Sequence, residues 1–160
     1  MECPDQWLYE YSVIRFVPRI DREEFINIGL IMMCKRRKWM MSRIHIDENR
    51  LKFFFPNIDI NCIRQQATLF EKKDVPASDL PVEEKYRWLT ATKSAILQTS
   101  PSHPGIIMPR KPDEYSESNL YLREPASKSR KVSFEDIHEK QMDQFILENE
   151  FNRLFTNLVL

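Results

Sequence analysis

Glycine is almost missing from this chain: Gly29 and Gly105 are the two among 160 residues. Loops that cradle phosphate need several glycines close together so that backbone amides can approach the anion, and neither GxGxxG nor a P-loop can be built here. Cysteine is scarce as well. Cys3, Cys34 and Cys62 are odd in number and form no CxxC, so a zinc knuckle or a dithiol pair of that type is excluded and reduced, inert thiols are expected. His45, His103 and His138 lie far apart with no second ligand at i+4, and no metal site is expected. GxSxG and HExxH are absent. No catalytic residue is assigned and no cofactor is expected.

Long apolar runs are lacking too: nowhere do about eighteen apolar residues follow one another, and MECPDQWLYE has no apolar stretch of the kind a signal peptide needs. A cytoplasmic protein with no membrane partner is the expectation. Neither sign of charge is in excess, with Lys plus Arg and Asp plus Glu both at 24, so no whole-molecule field draws the chain to nucleic acid. Apolar residues at 42% are enough for a core in one domain spanning 1–160.

What is present reads as strands followed by helices. Leu8 to Val17 alternates, with Tyr9, Tyr11, Val13, Arg15 and Val17 on one face and Leu8, Ser12, Ile14 and Phe16 among those on the other. In Phe25 to Cys34 the period of two puts Ile26, Ile28, Leu30, Met32 and Cys34 together as a continuous core face. Lys35-Arg36-Arg37-Lys38 interrupts as a solvated hairpin tip, and the pattern resumes from Trp39 to Ile46, giving a three-stranded meander. Asp47 is placed to cap a short helix ended before Pro56, and Asp59 one that carries Ile60, Ile63, Ala67 and Phe70. Pro81 opens a third helix through Tyr86 and Leu89. Ser94 to Thr99 reads as a further strand, Ser100 to Gly105 as a loop, and 109–131 as a polar surface insert. Leu147, Phe151, Leu154, Phe155 and Leu158 form the stripe of a C-terminal amphipathic helix. The fold class is α+β: a mainly antiparallel sheet, the meander plus a later strand, covered by helices.

The polar residues within these strands are the open question. Gly29 in an apolar strand suggests a bulge or a close backbone approach. Arg15 is expected to make a buried pair with an acid such as Glu24, while Tyr9 and Tyr11 on its face offer either a packed pair or a stacking surface for a base. Ser100, Ser102 and His103 are close in sequence without a base oriented against a nucleophile.

YSVIRFVP, EFINIGLIMM and RWLTATKSAILQTSPSHPG together, with EFNRLFTNLVL at the end, resemble the DUF3037 family, a bacterial family of domains of unknown function. Arg15, Pro18, Glu24, Phe25, Asn27 and Gly29 carry the likeness in the first part, and Arg87, Trp88, Thr90, Ser94 and Gln98 in the second. Pro18-Arg19 and Thr92-Lys93 stand where the family commonly has Pro-Asp and Pro-Arg, and lysine has no bidentate fork for an oxyanion. With the later strand beside the meander, the resemblance implies a polar cluster of Arg15, Glu24, Asn27, Lys93, Ser94 and Gln98, structural or ligand-binding. It also points to a protein partner, a HipA-like kinase, and so to an accessory or binding module. The alternative is an enzyme or ligand-binding protein acting on a phosphate-containing substrate such as nucleic acid.

Overall fold

The computed structural model describes residues 6–72, 75–109 and 134–160, the side chains of 134–136 excepted. Five strands and four helices follow one another as β1 (Trp7–Arg19), a 3-10 turn (Ile20–Arg22), β2 (Glu24–Cys34), β3 (Trp39–Ile44), α1 (Glu48–Phe54), α2 (Ile60–Glu71), α3 (Val82–Thr90), β4 (Leu97–Thr99), β5 (His103–Ile107) and α4 (Phe134–Leu158). The sheet is antiparallel in the order β3-β2-β1-β4, with β5 also on β1, and the class is α+β. The expected insert at 109–131 lies, Pro109 aside, outside the described residues.

β1 extends over 13 residues, roughly 40 Å at about 3.3 Å per residue, and two short strands tile its outer edge. β4 takes Ile14 to Phe16, and β5 takes Trp7 to Tyr11. Between them Ser100 keeps the ladder intact: its N–H donates to the Val13 carbonyl at 2.8 Å, and its hydroxyl accepts the Val13 N–H at 2.9 Å. The expectation of a loop over 100–105 is therefore corrected. β5 begins at His103, and Pro104 is accommodated because the strand pairs on one side only, where a missing amide is harmless.

Alternation along β2 is also corrected. Arg15 faces Asn27 but Ile14 faces Gly29, so Ile28 is an extra residue and the strand changes face there. Ile28 joins Ile31 and Met33 against Leu51, Ile63, Phe70 and Leu89 from α1–α3. Leu30, Met32 and Cys34 instead join Trp7, Tyr9 and Val13 beneath Leu147, Phe151 and Phe155 of α4. The sheet thus separates two cores. Gly29 sits at the bulge because a Cβ there would lie 2.7 Å from the Arg43 carbonyl oxygen and 2.7 Å from Ile44 Cδ1.

Helix starts follow the sequence. The Asp47 carboxylate accepts from Arg50 N at 3.0 Å, and that of Asp59 accepts from Asn61 N and Cys62 N at 3.0 and 3.2 Å. The basic tip is not the freely solvated end that was expected. Arg37 lies over the Trp7 ring at 4.2 Å and pairs with Asp143 of α4 at 2.8 Å, while Lys35 reaches Glu83 of α3 at 2.8 Å. The tip ties both helical layers to the sheet because each layer offers it an acid.

A latch holds α4 down. The Tyr9 hydroxyl donates to Glu150 at 2.6 Å, and Arg153 grips the same carboxylate through two nitrogens at 2.9 and 2.6 Å. Burial, helped by the Glu150 carboxylate, pushes the Tyr9 phenol up to about 12, whereas the Arg153 hydrogen bond holds Glu150 below the ordinary carboxylate value. A phenol raised on folding stabilises fully below its unfolded value near 10 and loses that contribution as pH climbs toward 12. A depressed carboxylate stabilises above about 4.5 and loses its contribution as pH falls through the folded value. Urea midpoints recorded against pH should fall at both extremes. Tyr9→Phe should flatten the alkaline limb, leaving the part due to Tyr86, whose phenol burial also raises; Glu150→Gln should flatten the acid limb. An unchanged alkaline slope in Tyr9→Phe would contradict the latch.

Candidate functional site

Three strands bring three of the six polar residues into one row. Arg15 on β1 lies directly opposite Asn27 on β2 and directly opposite Gln98 on β4, and residues so opposed in antiparallel strands share a face. That face is the α4 side: Asn27 Nδ2 donates to the Leu158 carbonyl at 2.9 Å, and Arg50 donates to the Val159 carbonyl at 3.4 Å, so side chains satisfy the end of α4. The Arg15 guanidinium lies under the ring of Phe25 at 4.2 Å. Gln98 donates to the Ala95 carbonyl at 2.9 Å.

Glu24 does not join them. It pairs with Arg22 at 3.0 Å in the exposed turn, so the expected buried Arg15–Glu24 pair is not formed; Phe25, the next residue, covers Arg15 instead. Lys93 and Ser94 meet Gln98 in the lining of one cavity but are not brought to Arg15 or Asn27, because their own partners are on α2 and α3. The Lys93 ammonium stacks on Trp88 at 4.2 Å and donates to the carbonyls of Trp88 and Ala91, closing the end of α3. Partial burial there lowers it below the ordinary lysine value. Ser94 donates to Gln66 of α2 at 2.5 Å and accepts from Ile96 N and Leu97 N at 3.2 and 3.3 Å. Lys93, Ser94, Gln98, Gln66, Leu89 and Leu97 line a cavity of about 440 Å³.

A second polar chain escapes a reading of the sequence alone. Ser12 Oγ and the Tyr86 hydroxyl are 2.8 Å apart, the Tyr86 hydroxyl and Ser102 Oγ 2.9 Å, and Ser102 donates to Glu10 at 2.9 Å. Glu10 and Ser102 line a further cavity of about 650 Å³ with Leu8, Met33 and Lys35. The signal was Ser12 next to Glu10 on one strand face, since a buried hydroxyl requires a partner. Ser102 is thus held by the Glu10 carboxylate and the Tyr86 phenol, whereas the His103 ring lies tilted against Tyr11 with centroids 5.3 Å apart. The ring of Tyr9 lies across Gly105 with its hydroxyl on Glu150, which leaves it closed to a stacked base. Cys34 is buried, and burial pushes its thiol up; Cys62 is partly buried and accepts a long hydrogen bond of 3.6 Å from Gln66. Among the described residues no group of three His, Cys, Asp or Glu could hold a metal, and no helix is long and apolar enough to cross a membrane.

The family model described as "Protein of unknown function (DUF3037)" matches residues 11–115, more than half of the chain. The chain belongs to the DUF3037 family. No curated protein and no solved structure matches it. Within this DUF3037 chain the matched span takes in most of β1, all of β2–β5 and α1–α3, including both the Arg15 row and the Lys93–Ser94 cavity. α4, which completes the second core, lies beyond it.

A third hollow opens at the far end of β1. About 440 Å³ in volume, it is lined by Phe16, Pro18, Phe54, Phe55, Ile58 and Ile96, with Arg19 and Asp59 among the few charged groups at its rim. Phe53 and Phe54 end α1 with 80% and 57% of their surfaces exposed and meet edge-on at 5.3 Å. Ile20, 58% exposed, stands in the 3-10 turn that Pro18 and Arg19 lead into.

Proposed function

We propose that this DUF3037 chain is a bacterial, cytoplasmic binding module that works through a protein partner, which seats a short apolar segment in the hollow between α1 and the β1–β2 turn. The exposure of Phe53 and Phe54 at the end of α1, with Phe54 lining the hollow, carries this reading. Large aromatic side chains gathered beside a concave apolar floor are what partner proteins use as anchors, and leaving them in water is unfavourable for a chain that acts alone. Charge supports the reading only weakly, since Arg19 is neutralised locally by Asp21 at 2.6 Å and no basic track leads into the hollow. The kinase to which the family resemblance points, a HipA-like enzyme, is the first partner to test.

Purified kinase should bind the wild-type protein and bind the double variant Phe53→Ser, Phe54→Ser about tenfold or more weakly, as loss of a buried aromatic anchor implies. Both side chains are exposed, so the melting temperature of the variant should stay close to that of the wild type. Failure of the kinase to bind removes that partner. The same comparison on any protein retained from nuclease-treated cell extract then decides the wider reading: equal retention by wild type and variant, or recovery of nucleic acid alone, overturns it.

A further inference from the structure

The row of Asn27, Arg15 and Gln98 holds two polar atoms that the fold does not use. Arg15 Nε is buried and makes no hydrogen bond among the described residues; so is Asn27 Oδ1, on the residue directly across the ladder. Two acids of the adjoining turn are engaged elsewhere, Asp21 by Arg19 and Glu24 by Arg22. Phe25 stacks on the guanidinium and offers it a ring face but no acceptor. Evolutionary convenience aside, a cation held in this way beside a buried acceptor is costly unless something else completes the set.

We propose that this row is a binding site for a small oxyanion bearing its own hydroxyl, of the hydrogenphosphate type. The two orphaned atoms define the chemistry. Arg15 supplies a planar fork of donors for two charged oxygens. Gln98 has one amide hydrogen beyond the one it gives to Ala95 and can add a third donor. Asn27 is oriented by its bond to the Leu158 carbonyl, which leaves Oδ1 as a fixed acceptor, and an acceptor requires a ligand O–H. A fully deprotonated anion such as sulfate, or a plain carboxylate, satisfies the fork and leaves Oδ1 facing a lone pair. Phe25, half exposed, is the cover: rotation of its side chain opens the guanidinium edge without moving the strands. Lys93 and Ser94 take no part, since the Lys93 ammonium is held by the carbonyls of Trp88 and Ala91 and the Ser94 hydroxyl by Gln66. The site is also separate from the apolar hollow, so it stands or falls independently of the partner reading.

The test is a titration of the whole protein with inorganic phosphate, sulfate and acetate at one ionic strength, followed through the Arg15 Nε–H and Phe25 ring resonances. Phosphate should give a saturable shift, and sulfate and acetate should bind about tenfold or more weakly, the discrimination expected of a site whose polar group is left unpaired by the wrong ligand. Arg15→Lys should abolish the Phe25 response to phosphate while keeping the charge, and Gln98→Leu should weaken it, providing a second variant on a different strand. A phosphate response that does not saturate overturns the proposal, as does equal affinity for sulfate or an undiminished response in Arg15→Lys.

Discussion

Phe151→Ala should lower the unfolding free energy by about 3–5 kcal/mol, the range for truncating a fully buried phenylalanine. Phe151 is wholly enclosed, stacks on Phe155 with ring centroids 6.0 Å apart, and belongs to the core that joins α4 to Leu30, Met32 and Cys34. Arg43 roofs the two rings at 5.2 and 5.1 Å while bonding Asn152 at 2.9 Å. Against a total of about 5–15 kcal/mol for a domain of this kind, such a loss is a large share of the whole. Urea unfolding should show a lower midpoint with an unchanged slope. A cost under about 1 kcal/mol, typical of a surface change, would mean that α4 does not rest on the sheet through this residue.

Gly29→Ala should also destabilise, by about 1–3 kcal/mol, as inserting a methyl into filled space does. The sign is the informative part. At a position without crowding the same change stabilises by about 0.4–1 kcal/mol through the unfolded chain. Neither glycine has a positive φ, so backbone freedom is not why glycine is needed here. The carbonyl of Arg43 is: it is backbone of β3 paired into β2, and it cannot turn aside without breaking the Gly29–Ile44 end of that ladder. A gain in thermal midpoint for Gly29→Ala would refute the close approach.

Much of the architecture could be read from local chemistry. Asp47 and Asp59 announce their helices because a cap is a contact within three residues, and the meander is visible because its hairpin joins neighbours in sequence. What remained hidden depends on partners far along the chain. Period-two counting through Ile28 put Leu30 and Ile28 on one face, although Gly29 hinted at the irregularity; only pairing with β1 fixes where the extra residue falls. β5 was concealed by Pro104, a residue that argues against a strand until the strand is known to lie at an edge. For the polar cluster, sequence placed the right residue types in strands but could not say which face each would occupy. Asn27 and Gln98 came to Arg15 through register alone. Glu24 was drawn to Arg22, two residues away, and Lys93 to the carbonyls at the end of α3, because nearby partners carry a smaller ordering cost than distant ones.

The tiling of β1 by two short strands has a consequence for the order in which this protein can be completed during synthesis. β1 emerges from the ribosome first, yet its outer edge is filled only when Leu97–Thr99 and His103–Ile107 arrive. At elongation speeds of about 5–20 residues per second, that edge waits roughly 5–20 s with its amides and carbonyls unpaired. During this interval the nascent hairpin of β1 and β2 presents an apolar strand border to neighbouring chains, the condition under which strand edges associate wrongly. Arrival of Ser100 ends it at the centre, because its N–H and hydroxyl engage the Val13 carbonyl and amide between the two tiles. Slower synthesis between β1 and Ile107 is therefore expected to lower soluble yield, which expression at reduced elongation rate would check.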